Sequence, residues 1–131
     1  MRVFLDTNVL VAAVATRGLC AEIFEIVIQS HELLSSREVV DELSRILREK
    51  LRTPGDVADT FVALILDQAE MVVPGNATPS VADPDDVPIL SAALNGRSEV
   101  FVTGDKTLPE FEAHAGLKIV SPRQFATMLL S

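Results

Sequence analysis

Apolar and polar residues fall into short blocks along the chain. Val3-Phe4-Leu5 is an apolar run broken at once by Asp6, Thr7 and Asn8. That pattern predicts a buried strand ending at Asp6 and turning into a helix over Val9 to Ala15, which Arg17-Gly18 interrupts. Apolar residues at 20, 23, 24, 27 and 28 then have helical spacing over Cys20 to Gln29. Leu33-Leu34 predicts a second strand within Glu32 to Ser35, and Ser36 suits the N-cap of a helix. That helix is expected to be long, from Ser36 to Leu51, with Val39, Val40, Leu43, Ile46, Leu47 and Leu51 on one stripe. Thr53-Pro54 ends it and puts Pro54 in the first turn of another helix, which carries Val57, Phe61, Leu64, Ile65 and Ala69.

Met71-Val72-Val73 reads as a third strand. Asn76 to Asp86 is rich in Pro, Ser, Thr and Asp, and its length fits a functional loop better than a domain boundary. A helix from Asp86 to Leu94, closed by Asn95-Gly96, leads to a fourth strand at Val100-Phe101-Val102. A short helix over Leu108 to Ala115, stopped by Gly116, precedes a fifth strand at Leu117 to Val120. Ser121-Pro122 opens a last helix with Phe125, Met128 and Leu129 apolar. Strands alternate with helices and nothing repeats, so the expected fold is α/β around a parallel sheet of about five strands.

At 131 residues the chain reads as a single domain. The longest apolar run, Val9 to Ala15, is far short of a membrane span, and no signal region is evident, so a soluble cytoplasmic protein is expected. Cys20 is the sole cysteine, which excludes an internal disulfide and a cysteine-based metal site. The net charge of −8 has the wrong sign for holding nucleic acid by bulk charge. A nucleic-acid substrate would therefore need local basic patches and metal ions. Six Phe with no Trp or Tyr supply a base-stacking surface poorly.

The chemistry lies in the acids. Asp6 and Asp105 each end an apolar strand and precede a helix, and in a parallel sheet such ends share one edge, where ligands bind. Each also suits a helix N-cap. Asp86 opens a third helix behind Asp83 and Asp85, and capping needs only one of them. Ile89, Leu90 and Ala93 point that helix inward, which favours Asp86 as the acid facing the sheet edge. Glu42 lies about 60° from Val39 and about 40° from Ile46, at the flank of the apolar stripe. It could reach over the sheet edge or pair with Arg45 in solvent. Glu38 and Asp41 are expected further out. Several carboxylates in one pocket repel and raise one another's pKa. Mg²⁺ or Mn²⁺ relieves that repulsion, and such a site suits displacement at phosphorus. No His or Cys neighbours these acids, which argues against Zn²⁺. His31 and His114 are expected at the surface or at helix ends, and Cys20 as a small apolar residue.

Four motifs in order resemble the PIN domain family: Asp6-Thr7-Asn8-Val9-Leu10, Val39-Val40-Asp41-Glu42-Leu43, Asp86 behind Asp83-Pro84-Asp85, and Thr103-Gly104-Asp105-Lys106. More narrowly the chain is similar to the PIN-type toxins of prokaryotic toxin–antitoxin pairs, relatives of VapC. The resemblance spans nearly the whole chain, including Pro122 and Phe125. It implies a three-layer α/β/α sandwich of Rossmann-like type and a Mg²⁺- or Mn²⁺-dependent ribonuclease. It carries over onto Asp6, Glu42, Asp86 and Asp105 as catalytic and metal-binding acids, with Thr7, Asn8, Ser36 and Thr103 supporting them by hydrogen bonds. Thr107 stands where many members carry a further acid. Water would attack the phosphate in line, Glu42 would orient a second ion or that water, and products would carry a 5′-phosphate. An antitoxin protein and a homodimer are the implied partners; the apolar helices at 20–29 and 57–69 are wider than one small sheet needs.

Five of the eleven basic residues, Arg37, Arg45, Arg48, Lys50 and Arg52, lie within one stretch that could guide RNA or be a solvated helix face. Lys106 beside Asp105 is better placed for a phosphate. Other chemistries fit less well. A haloacid dehalogenase-like phosphoryl transferase needs a second acid two residues after Asp6, where Asn8 stands, and a receiver-type phosphoacceptor needs paired acids at the end of the first strand. A non-catalytic PIN scaffold that binds a protein would be expected to have lost acids that are all present here.

Overall fold

The computed structural model describes residues 1–76, 84–106 and 116–130. The predicted short helix over Leu108 to Ala115, most of the Asn76 to Asp86 loop, and Asp83, Thr107 and His114 lie outside these residues.

The chain order is β1 (Arg2–Leu5), α1 (Thr7–Ala15), α2 (Leu19–Ser30), β2 (Glu32–Ser36), α3 (Arg37–Arg45), α4 (Gly55–Gln68), β3 (Glu70–Val72), α5 (Asp86–Asn95), β4 (Val100–Val102), β5 (Lys118–Val120) and α6 (Pro122–Leu129). The strands form one parallel sheet in the order β3-β2-β1-β4-β5, as the alternation of elements predicts. β1 is central, buried from Val3 to Leu5. Phe4 pairs in register with Phe101 of β4, and their rings stack with centroids 5.3 Å apart. From β1 the chain moves outward through β2 to β3 by way of α1–α4, then turns back through α5 to β4 on the other side of β1. Right-handed crossovers in opposite directions put α1–α4 and α5 on opposite faces of the sheet, giving three layers. The strand order reverses between β1 and β4, so the switch point of the sheet lies at their carboxyl ends.

The helices start where their caps allow. Ser36 accepts the Val39 N–H at the head of α3, and Ser121 forms a capping box with Gln124 at the head of α6. Pro54 is the N-cap of α4 rather than a residue of its first turn. The expected long helix does not run unbroken to Leu51. After Arg45 the chain widens into a π-helical turn over Ile46–Lys50. The wider turn shifts the later side chains around the axis, so Leu47 is fully buried while Leu51 is 46% exposed and leaves the stripe. Arg48 of this turn pairs with Asp59 of α4 and donates to Ser44.

At the opposite, amino edge of the sheet, Arg2 gathers three strands and a helix end. Its guanidinium reaches Glu70 at 2.7 Å and 3.2 Å, Glu32 at 3.3 Å and the carbonyls of Gly96 and Arg97. Gly96 at the end of α5 is crowded: a Cβ there would stand 2.6 Å from Val72 Cγ1. Among the described residues no helix is long and apolar enough to cross a membrane.

Candidate functional site

Asp6 stands at the switch point. It follows β1, caps α1 and is only 6% exposed. Its Oδ1 accepts the Thr7 N–H at 2.8 Å, and its Oδ2 accepts the Thr103 hydroxyl at 2.7 Å and the Asn8 amide at 3.3 Å. The carboxylate that caps α1 is therefore also the one tied to the end of β4. Thr103 follows β4 directly beside Asp6 because Leu5 pairs with Val102. Its hydroxyl donates to Asp6 and accepts from Asn8 Nδ2 at 3.3 Å and from the Asp105 N–H at 3.0 Å. One donor and two acceptors are the full capacity of a hydroxyl, so Thr103 is saturated. Asn8 in turn accepts the Gly104 N–H at 2.8 Å. The start of α1 and the loop after β4 are thus laced into one unit.

Burial pushes the Asp6 carboxyl above the usual carboxylate range. The Thr103 and Thr7 bonds pull the other way, and the charges of Glu42 and Asp105 push it further up. Glu42 and Asp105 are therefore within electrostatic reach of Asp6. Glu42 is half-buried on α3 between buried Val40 and Leu43, as expected for the flank of a stripe. The alternative pairing of Glu42 with Arg45 is not among the ion pairs of the described residues. Asp86 is the first residue of α5, half-buried, with exposed Asp85 before it. A helix that leads from the end of β3 to the start of β4 begins at the carboxyl edge, so Asp86 opens on the same edge as Asp6.

The supporting residues divide. Asn8 and Thr103 bond Asp6 through side chains, but Thr7 does so only through its backbone, and its buried hydroxyl has no partner. Ser36 caps α3 by way of Val39 and serves Glu42 only through the helix it anchors. Glu38 is not rotated out to solvent: it is half-buried and its Oε1 is buried without a hydrogen-bond partner. Its spacing of four from Glu42 is the signal that could have found it. Arg37 is exposed at the head of α3, and Arg45 lies exposed about 12 Å further along at helical rise. Lys106 is exposed after Asp105. Arg123, on α6, has no sequence signal that would single it out.

Among the described residues no three acid, His or Cys side chains stand close enough to enclose one cation. The donor set still fits a hard divalent ion. Mg²⁺ commonly takes one or two carboxylates, keeps several waters and is completed by substrate phosphate. A buried carboxylate pressed by two others is where such a charge is most favourable.

A family model described as a PIN domain matches residues 2–107. A comparison with curated proteins returned no match. Among solved structures, the chain is similar to a chain of VapBC2 from Rickettsia felis bound to a DNA fragment from its promoter, with TM-score 0.66, 14% identity, and 92% of this chain and 98% of that one covered. It is also similar to a chain of VapBC-1 from nontypeable Haemophilus influenzae (TM-score 0.64, 17% identity, 94% and 99% covered). PAE2754 from Pyrobaculum aerophilum matches at TM-score 0.64 and 14% identity, with 99% and 90% covered. At those identities the likeness is one of fold, and the family match covers most of the sequence: the chain belongs to the PIN domain family.

Proposed function

We propose that the protein is a divalent-metal-dependent endoribonuclease, the toxin half of a VapC-like toxin–antitoxin pair. The observation that carries this is the buried Asp6 carboxylate at the switch point, with Glu42 and Asp105 bearing on it. Asp6, Asp86 and Asp105 would hold Mg²⁺ or Mn²⁺, and Glu42 a second ion or the attacking water. Bound there, the ion supplies Lewis-acid chemistry, activating water and offsetting charge on the phosphate.

The chain's own groups do the rest. Thr7 N–H, Thr103 and Asn8 fix the Asp6 oxygens in place. Thr103 also holds the Asp105 backbone. Glu42 orients the water for in-line attack. The new bond is from water oxygen to phosphorus and the bond that breaks leads to the ribose 3′-oxygen, leaving a 5′-phosphate. Lys106, Arg37 and Arg45 would contact the RNA backbone. Such a substrate would fit a protein of the cytoplasm. The VapBC folds support an antitoxin partner, and exposed Ile26, Val57 and Leu66 on α2 and α4 support a homodimer.

Mn²⁺ should raise the melting temperature of the wild type, and Asp6→Asn should remove most of that shift. A single-stranded RNA should be cleaved only with divalent metal, and Asp105→Asn should abolish cleavage. The absence of any metal-dependent shift, together with cleavage that survives EDTA and both substitutions, would sink the proposal. Metal binding without cleavage of any RNA would favour a non-catalytic PIN scaffold instead.

A further inference from the structure

We propose that the cleft between the end of β4 and the start of α6 is a second binding site, which takes the nucleotide next to the scissile phosphodiester, with Lys106 and Arg123 holding its phosphate. The substrate class rests on the nuclease proposal; the cleft itself does not.

β4 and β5 run side by side with Val102 opposite Val120, so the chain leaves both strands at the same edge. The exits diverge into α6 on one side and the Asp105 loop on the other. They leave a cavity of about 290 Å³ lined by Thr103 and Gly104 to Lys106 on one side and by Ser121, Arg123 and Gln124 on the other. That volume lies just below the range of drug-sized ligand pockets, enough for one phosphate and part of a nucleoside. Asp105, a proposed metal ligand, is in its wall, so whatever fills the cavity adjoins the metal site.

Charge identifies the occupant. The chain carries −8 overall, and its candidate metal site adds local negative charge, so a polyanion needs cations where it lands. Lys106 and Arg123 are both exposed, and neither belongs to the ion pairs among the described residues, which use Arg2 and Arg48. Arg presents a planar fork that matches a phosphate, and Lys a point charge. In the capping box Ser121 Oγ accepts the Gln124 N–H and Gln124 Oε1 accepts the Ser121 N–H, so both of those backbone donors are taken. Pro122 has no N–H, which leaves the backbone N–H of Arg123 as the first-turn donor outside the cap. No lining side chain is apolar, but most of the cavity's surface is carbon, which suits a ribose or a base edge beside the two cations.

The test is a titration of ¹⁵N-labelled full-length protein in EDTA with a nucleoside 3′,5′-bisphosphate. Parallel titrations use the bare nucleoside and inorganic phosphate. The bisphosphate should shift the amides of Gly104, Lys106, Arg123 and Gln124 saturably, and each of the other two should bind about tenfold or more weakly. Arg123→Glu and Lys106→Glu should each weaken the bisphosphate about tenfold or more, the loss of one charge-assisted contact. Arg123→Lys should recover part of the loss, and unchanged melting temperatures would show the variants folded. No shift at these amides, equal shifts in both charge-reversal variants, or inorganic phosphate binding as tightly as the bisphosphate would each overturn the proposal. RNA cleavage separates the two claims. Bisphosphate binding without metal-dependent cleavage sinks the nuclease proposal alone. Cleavage by Arg123→Glu with an unchanged KM sinks the cleft alone.

Discussion

The side-chain carbonyl of Asn8 accepts the backbone N–H of Gly104 at 2.8 Å. This bond fastens the head of α1 to the loop that carries Asp105, and the space around it is tight. A Cβ on Gly104 would stand 3.3 Å from Asn8 Oδ1. Asn8→Ala removes the bond and two donors to Asp6 and Thr103, and should cost about 1 kcal/mol of stability. Gly104→Ala should cost less in melting temperature, because only the Asn8 amide must give. Both should lower the midpoint shift produced by Mn²⁺ and reduce any metal-dependent cleavage at least several-fold.

Thr103 separates hydroxyl chemistry from shape. Thr103→Ser keeps the hydroxyl and should retain most metal binding. Thr103→Val keeps the shape but removes the 2.7 Å bond to Asp6 Oδ2 and the hydroxyl that accepts the Asp105 N–H, and should cost about 1–3 kcal/mol in denaturant unfolding. Equal losses in the two variants would show that the hydroxyl does not matter.

Gly96 meets Val72 where α5 ends against β3. Gly96→Ala puts its Cβ 2.6 Å from Val72 Cγ1 and should destabilise by about 1–3 kcal/mol. Val72→Ala should destabilise on its own, yet the double variant should be more stable than the sum of the single effects, read as a coupling in a double-mutant cycle. Additive effects would place the strain elsewhere.

Arg2 predicts the acid sensitivity of the amino edge. Its guanidinium holds the Glu70 carboxyl below the usual carboxylate range. A depressed carboxyl contributes stability that is present above its unfolded pKa and is lost as pH falls through the folded value. Glu70 faces solvent and Arg2 is only half-buried, so the effect is small and screened by salt. Arg2→Met should lower the melting temperature at neutral pH and flatten its fall below about pH 4.5, the ordinary value for Glu.

The strand and helix pattern was legible because the sheet is buried and its strands read as apolar runs between helices. Asp6 was legible for the same reason, as an acid closing such a run. The structure gives that side chain two tasks at once, as the cap of α1 and as the acceptor of the Thr103 hydroxyl and the Asn8 amide. The angle of Glu42 on α3 allows either a solvated residue or one at the sheet edge, and only the family resemblance singles it out, whereas Glu38, one turn earlier, is half-buried although its angle puts it further out. Leu51 leaves its expected stripe because the π-helical turn at Ile46–Lys50 has no sequence signature of its own. The Asn8–Thr103 contact is hidden in the sequence because it joins residues 95 apart, and only the pairing of β1 with β4 makes them neighbours. Arg123 is hidden likewise, since its cleft depends on β4 lying beside β5.

The centrality of β1 also sets an order of events during translation. Asp6 and Thr103 are 97 residues apart in sequence and 2.7 Å apart across their hydrogen bond. On the ribosome, β1 is finished long before its neighbour β4 exists, and contacts so distant in sequence form slowly. The nascent chain therefore holds Asp6 without its Thr103 and Asp105 companions for most of its synthesis. A chain released before Thr103 would hold an Asp6 carboxylate that lacks both the hydroxyl and the neighbouring strand that fix its position.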